Sequence, residues 1–269
     1  MWPKLLRNTG WGKMLKERGL FQDFDKVKDS ITLIQDLEPK EGYYLAFSGG
    51  KDSVVLKHLA DMAGVKYDAH YSVTTIDPPE LVRFMRKNYP DVAWERPEKP
   101  FLRRLPEKGF PQRHRRWCCE EYKERGGSGR RVLTGIRAAE SSKRAGRKAV
   151  ETCYKDTSKQ YINPIIAWDD DDVWTFIHGE RIPYCSLYDE GKKRLGCLFC
   201  PMAYRRTRDV RRYPRMAKAF IKSFEMLYAW RSKEKAESVK RWSSGEDMFW
   251  WWIGENRKAD DPDQSVLFE

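Results

Sequence analysis

Two sets of residues in this chain have the types and spacing to do chemistry. The first is Ser48-Gly49-Gly50-Lys51-Asp52-Ser53, which follows the apolar run Tyr43 to Phe47 and precedes the helix-forming stretch Val54 to Met62. In a strand–turn–helix of this kind, the N–H groups of the turn and of the first helical turn converge on a phosphate oxygen. Gly49 and Gly50 let the backbone approach, Ser48 and Ser53 add hydroxyl donors, and Lys51 supplies positive charge. The string is not a Walker A loop, because the G-x-x-x-x-G-K-[ST] spacing fails. The second set is Cys118-Cys119 and, about eighty residues later, Cys197-x-x-Cys200. Four thiolates complete a tetrahedral zinc site or hold a [4Fe–4S] cluster. Adjacent cysteines are poor geometry for most zinc sites, and the residues by themselves leave a [4Fe–4S] cluster, zinc, and redox or structural thiols open. Cys153 and Cys185 are left over. A lone cysteine is more often a small buried hydrophobe, and Cys185, in Ile182-Pro183-Tyr184-Cys185 near the second pair, is the better candidate for a chemical thiol.

The charge balance also points to phosphate. The 269 residues include 52 Lys and Arg against 40 Asp and Glu, a formal charge of +12, and the sequence pI is near 9.3. The cations cluster. Arg103, Arg104, Lys108, Arg113, Arg115 and Arg116 stand against Glu107 alone. Lys192, Lys193, Arg194, Arg205, Arg206, Arg208, Arg211, Arg212, Arg215, Lys218 and Lys222 stand against Asp209 alone. Clusters beside cysteine pairs are footprints for the phosphates of a nucleotide or of a nucleic-acid backbone. Mean hydropathy is low, −0.79, yet 13% aromatic residues argue against general disorder. The longest apolar run, Met248 to Ile253, falls far short of the ~18 residues of a membrane span. Met1-Trp2-Pro3-Lys4 opens no apolar stretch, so no signal peptide is expected. A cytoplasmic protein is expected, with cysteines that read as metal ligands or catalytic thiols before disulfides.

The elements that must position these residues alternate. Phe24, Val27, Ile31, Ile34 and Leu37 recur at helical spacing, and Pro39 and Gly42 end that helix. Tyr43 to Phe47 reads as a buried parallel strand, Lys66 to Ile76 as a second strand and its end, Pro79 as a helix start, Val92 to Trp94 and Arg131 to Ile136 as further strands, and Ile162 to Ile166 as a last strand or extended segment. This alternation predicts an α/β fold with a doubly wound, mainly parallel sheet, followed by a helical, cluster-binding C-terminal part. Asp169 to Asp172 open a helix at its electropositive end. Pro214 to Lys240 reads as one long helix, and Trp250-Trp251-Trp252 as core packing. Gly126-Gly127-Ser128-Gly129 reads as a flexible loop and Ala259 to Gln264 as an acidic tail. The expected divisions are an N-terminal helical extension over 1–39, a nucleotide-binding domain with the cysteines over 40–205, and a basic helical extension over 206–269.

Ser48-Gly49-Gly50-Lys51-Asp52-Ser53 resembles the PP-loop of the adenine nucleotide alpha hydrolase superfamily. The tandem cysteines and later C-x-x-C resemble the cluster motif of assimilatory adenylyl-sulfate reductases. Gly135-Ile136-Arg137, Glu140, Ser141 and Arg144 resemble the G-x-R-x-x-E-S-x-x-R segment of the phosphoadenosine phosphosulfate (PAPS) reductase family, and Asn163-Pro164, Trp168 to Trp174, Ile182-Pro183 and Leu187-Tyr188-Asp189-x-Gly191 are similar to it as well. The resemblance runs from about residue 40 to 205. It implies nucleotide-binding roles for Ser48, Gly49, Gly50, Lys51, Asp52, Ser53, Asp77, Gly135, Arg137, Glu140 and Arg144, chemical roles for Lys51, Asp52 and Cys185, and a [4Fe–4S] cluster on Cys118, Cys119, Cys197 and Cys200.

The resemblance further implies ATP or another adenylyl nucleotide with Mg²⁺, an acceptor activated for sulfur transfer, and a cysteine desulfurase-like sulfur donor or thioredoxin as protein partner. Nucleic acid is the acceptor that the charge suits, as in DNA phosphorothioation. Two departures bear on this. No cysteine follows Cys200, where sulfonucleotide reductases carry a mobile E-C-G-[LI]-H, and Thr75-Ile76-Asp77-Pro78-Pro79-Glu80 replaces the family's D-T-G-x-x-x-P-E-T. The alternatives are a PAPS or adenylyl-sulfate reductase using Cys185, Cys153 or a partner's thiol, and a non-enzymatic, metal-containing nucleic-acid-binding module.

Overall fold

The computed structural model describes residues 15–18, 23–112, 115–200, 203, 207–234 and 239–254. Arg113, Arg205, Arg206, the Arg208 side chain and residues 259–264, named above, lie outside the described residues. The chain forms two compact units, one drawn from 1–73, 79–96 and 125–195 and the other from 74–78, 97–124 and 196–269. Both are discontinuous in sequence, whereas the sequence reading divides the chain into consecutive stretches.

In the first unit, β1 (Lys16–Arg18) pairs antiparallel with β2 (Asp23–Asp25) ahead of helix α1 (Lys26–Asp36). The 1–39 segment, expected as helical, therefore contains a strand pair. The Asp25 carboxylate caps α1 by accepting from the Lys28 N–H at 3.1 Å, and α1 buries Val27, Ile31 and Ile34. The main sheet contains β3 (Tyr43–Ala46), β4 (Tyr67–Ser72), β5 (Ala93–Glu95), β6 (Arg131–Leu133), β7 (Val150–Thr152) and β8 (Gln160–Ile162). Their order is β5-β4-β3-β6-β8-β7, parallel throughout except for β7, which runs antiparallel to β8. Helices α2 (Lys51–Ala63), α3 (Pro79–Asn88), α6 (Ser142–Ala145) and α7 (Asp170–Gly179) belong to this unit. The chain winds outward from β3 through β4 to β5, then returns to place β6 on the other side of β3. That reversal is a topological switch point, and the loops beyond the carboxyl ends of β3 and β6 meet there.

Two local expectations change. The strand placed at 162–166 ends at Ile162, because Pro164 has no N–H to give a ladder and residues 164–167 turn instead. The glycine-rich loop is held in place. A Cβ on Gly126 would collide with the Tyr44 hydroxyl and one on Gly127 with Val132, so the two glycines let the chain lie against the sheet. Ser128 Oγ donates to Asp156 at 2.7 Å, and the Gly129 N–H donates to Ser158 Oγ at 3.0 Å.

The second unit is helical, with α4 (Phe101–Lys108), α5 (Trp117–Tyr122), α8 (Thr207–Arg212), α9 (Pro214–Lys233) and α10 (Gly245–Ile253). Its core is aromatic, built on Phe101, Phe199, Phe220, Phe224, Phe249 and Trp252. The long helix ends at Lys233 rather than Lys240, and the chain folds back to pack α10 along α9, with Gly245 against the backbone of Phe224 and Glu225. Trp252 is buried, and its Nε1–H donates to the Pro111 carbonyl at 2.8 Å, in line with the packing role expected for the tryptophans. Pro106 inside α4 has no N–H for the Leu102 carbonyl four residues earlier. The buried Ser223 hydroxyl of α9 takes that place, donating to the Leu102 carbonyl at 2.6 Å.

No helix among the described residues is long and apolar enough to cross a membrane.

Candidate functional site

β3 carries the chain into the Ser48-Gly49-Gly50 turn, and α2 starts at Lys51 with Gly50 as N-cap and no side-chain cap. Gly49 has φ +70°, and a Cβ there would sit 2.6 Å from Met85 Cγ, so only glycine fits. Ser53 Oγ holds the turn by donating to the Gly50 carbonyl at 2.9 Å and accepting from the Ser48 N–H at 3.2 Å. The Lys51 N–H donates to Tyr188 Oη at 2.9 Å. Beyond β6, Gly135 passes against the start of α2, where a Cβ would lie 2.9 Å from the Asp52 carbonyl oxygen. This close pass brings Arg137 behind the turn.

Lys51 and Arg137 have side chains only 5% and 3% exposed, and two carboxylates alternate with them. Asp52 Oδ1 lies 2.6 Å from Arg137 Nε and 3.7 Å from Lys51 Nζ. Asp170 Oδ1 lies 2.6 Å from Lys51 Nζ and 2.7 Å from Arg137 Nη2. The Arg137 N–H donates to Glu140, and Glu140 pairs with Arg144. Burial, followed by the charge of Arg194, pushes the Arg144 guanidinium down to about 10, with Arg147 and Arg137 adding to the effect. It stays charged at neutral pH within a field of four guanidinium groups, which is an environment that calls for anions.

The structure thus brings Ser48, Gly49, Gly50, Lys51, Asp52, Ser53, Gly135, Arg137, Glu140 and Arg144 together in the first unit. Asp77 belongs to the second unit, where it accepts from Thr74 Oγ1 at 2.6 Å and its charge acts on Lys123 and Cys197. Cys185 is fully buried in the first unit's core, and burial raises its thiol pKa. That is the environment of a packing residue, against the chemical role read from sequence. Cys153 is half-buried, and its thiol is lowered: burial pushes it up, but hydrogen bonds from the backbone of Lys155 and Asp156 and from Tyr161 outweigh this. Sequence reasoning did not single out Asp170, Tyr188 or Arg147 for the nucleotide site, and it placed Arg194 only within a basic cluster read as a phosphate footprint. Asp170 reads as a helix-start acid and Tyr188 as part of a family-like segment, and neither spacing points to the turn.

The four expected ligands, Cys118 and Cys119 on α5 and Cys197 and Cys200, all lie in the second unit and are half-buried. Leu198 and Phe199, between the second pair, are buried in the aromatic core, and Phe199 takes the left-handed backbone conformation at φ 55°. The Leu198 N–H is anchored on the Ile76 carbonyl at 2.8 Å. A hydrogen bond from Cys118 lowers Cys119 to about 6, aided by Lys123 and Arg116, and the same bond raises Cys118. Burial pushes Cys197 up to about 12 against the pull of Lys123. Cys197 and Cys200 both act on Cys118 electrostatically. The donor set suits a soft metal centre in its chemistry, four thiols with Lys123 acting on Cys119 and Cys197, but not in its grouping. Among the described residues, no three cysteine, histidine or acidic side chains are gathered as closely as metal ligands.

A glycine turn between strand and helix, at the switch point of a doubly wound sheet and with a buried cation pair behind it, is the architecture of a PP-loop α/β protein. The phosphoadenosine phosphosulfate reductase domain matches residues 42–203, more than half of the chain, and the protein belongs to that family. An uncharacterized protein of Methanocaldococcus jannaschii is 32% identical over 178 residues, which cover 60% of this chain and 36% of that protein. Adenosine 5'-phosphosulfate reductase of Allochromatium vinosum is 37% identical over 79 residues, 29% of this chain and 30% of that enzyme. The crystal structure of a phosphoadenylyl-sulfate reductase from Candida auris shares the fold, with a TM-score of 0.50 at 20% identity over 64% of this chain and 89% of that one. The matching relatives also include proteins named as FAD synthases. The chain spans between about a third and two-fifths of the length of several of its curated relatives.

Proposed function

We propose that this protein binds ATP or a related adenylyl nucleotide at the Ser48–Ser53 turn and adenylylates an acceptor for sulfur transfer. The observation that carries this reading is the buried pair of Lys51 and Arg137 behind a glycine turn, an arrangement suited to a polyphosphate. Lys51, the turn amides and Arg137 would hold the phosphates, Asp52 would face a bound Mg²⁺, and Glu140 would orient Arg137 and Arg144. An acceptor oxygen attacks the α-phosphorus, the bond to the bridging oxygen breaks, and pyrophosphate leaves. Hydrosulfide, supplied directly or by a sulfur-donor protein, then attacks the activated centre, and AMP departs with the acceptor oxygen. Cys118, Cys119, Cys197 and Cys200 would hold a [4Fe–4S] cluster, which supplies electron or sulfur chemistry when bound.

Nucleic acid is the proposed acceptor. The charge of +12 favours it, and so does the outer face of α9, where Arg215, Lys218 and Lys222 are exposed ahead of exposed Met226 and Trp230. The second reading is a sulfonucleotide reductase, favoured by the resemblance to adenosine 5'-phosphosulfate reductase. In that reading the lowered thiol of Cys153 is a better candidate than Cys185.

Anaerobically purified protein supplied with Mg²⁺, ATP, hydrosulfide and either DNA or tRNA is expected to form AMP and pyrophosphate faster than without nucleic acid. The same protein with thioredoxin and adenylyl sulfate or PAPS is expected to release sulfite no faster than a protein-free blank. Thioredoxin-dependent sulfite release at enzymatic rates establishes the reductase instead. Nucleic-acid binding with neither reaction establishes the non-enzymatic module.

A further inference from the structure

Lys51 and Arg137 are neighbours with almost no solvent contact, and buried like charges are stable only beside compensating charge. Asp52, with 23% of its side chain exposed, supplies one counter-charge. Asp170 supplies the other from the solvent side, with 55% of its side chain exposed, and a single oxygen, Oδ1, receives both cations. One anionic oxygen accepting from an ammonium and a guanidinium is the contact a phosphate oxygen makes. Three N–H donors of the turn are also taken within the protein. The Lys51 N–H is bonded to Tyr188 Oη at 2.9 Å, the Gly50 N–H to Ser48 Oγ at 3.4 Å and the Ser48 N–H to Ser53 Oγ at 3.2 Å.

We propose that Asp170 stands in for a phosphate oxygen in the nucleotide-free protein, and that a polyphosphate enters by displacing it from Lys51 and Arg137. Asp170 is then a specificity-determining residue for the phosphate site, on whose assignment this proposal rests. A singly charged anion exchanges one negative charge for another and gains little. A polyphosphate brings more charge to the same two cations and wins the exchange. Burial pushes the Asp170 carboxyl up, but Lys51 and Arg137 outweigh this and keep it below the usual carboxylate range, so the competitor is charged at neutral pH. The adjacent acids have other positions. Asp169 caps α7 by accepting from the Asp172 N–H at 2.8 Å, Asp172 pairs with Lys26 at 2.8 Å, and Asp171 is exposed.

The test is calorimetric titration of the full chain with inorganic pyrophosphate in metal-free buffer, comparing wild type, Asp170→Asn and Asp171→Asn. Asp171→Asn makes the same charge change on the same helix without touching the pair. Asp170→Asn is expected to bind pyrophosphate about tenfold more tightly or better, the scale of one charge-assisted hydrogen bond. Asp171→Asn is expected to stay within about twofold of wild type, as for an exposed charge. Should Asp170→Asn fail to fold without ligand, Asp170→Ser is used, and the rise in melting temperature on adding pyrophosphate is compared with that of wild type. A larger rise supports displacement, and an equal or smaller rise overturns it. Wild-type binding with no gain in the Asp170 variants, or an equal gain in Asp171→Asn, overturns the role of Asp170 and leaves the phosphate site standing. Pyrophosphate binding by none of the proteins overturns both.

Discussion

Anaerobically purified protein is expected to be brown, with a broad visible absorption band, and Cys197→Ser or Cys200→Ser to bleach it. The stability effect should be large as well. Leu198 and Phe199, between the two cysteines, are buried in the aromatic core of the second unit, so loss of the metal frees a segment that the core depends on. The expected signature is a fall in the melting temperature of the metal-loaded protein on substitution, matched by chelation of the wild type. Cys185→Ser serves as the contrast: it lies in the first unit's core and should leave the visible band intact. A colourless anaerobic preparation carrying stoichiometric zinc would replace the cluster with zinc on the same four residues.

Lys51→Ala is expected to lose about 1.5–3 kcal/mol of nucleotide binding, the scale of one charged hydrogen bond. That is roughly a tenfold to hundredfold loss of affinity. It should be seen for ATP and inorganic pyrophosphate alike and be much weaker for adenosine, because the proposed role of Lys51 is toward phosphate and not the base. The β3–β6 sheet should survive, since its strands are held by Leu45, Leu133 and Ile162, and far-ultraviolet circular dichroism checks this. Equal pyrophosphate affinity for wild type and Lys51→Ala would falsify the assignment of the turn to phosphate.

The parts of this architecture that were legible are those whose signals are local. β3 is a short apolar run, α3 begins on Pro79, and the glycine turn announces itself within six consecutive letters. The family resemblance then joined Gly135, Arg137, Glu140 and Arg144 to that turn. What was not legible depends on partners distant in sequence. β7 is a strand only because β8 offers it an antiparallel edge. α9 stops at Lys233 and α10 packs back along it, and helical periodicity alone carries no sign of that return. Asp170 meets Lys51 across 119 positions and Arg137 across 33, so an acidic run that reads as helix-dipole chemistry hides a counter-ion. Cys185 misled for the same reason: its nearness to Cys197 in sequence says nothing of its burial in another unit's core.

The pairing of Pro106 with Ser223 makes these two positions epistatic. The Ser223 hydroxyl answers the Leu102 carbonyl only because position 106 has no N–H to offer it. Ser223→Ala alone strands a part-buried acceptor and should cost about 1 kcal/mol. In a Pro106→Ala background, where the helix can supply its own donor, the same change should cost much less, and the double-mutant cycle measures the difference. A lineage that changes Pro106 first is free to lose the serine, whereas one that loses the serine first passes through a weakened intermediate. Sequence variation at 106 and 223 is therefore expected to be ordered in time, with the proline as the first to go.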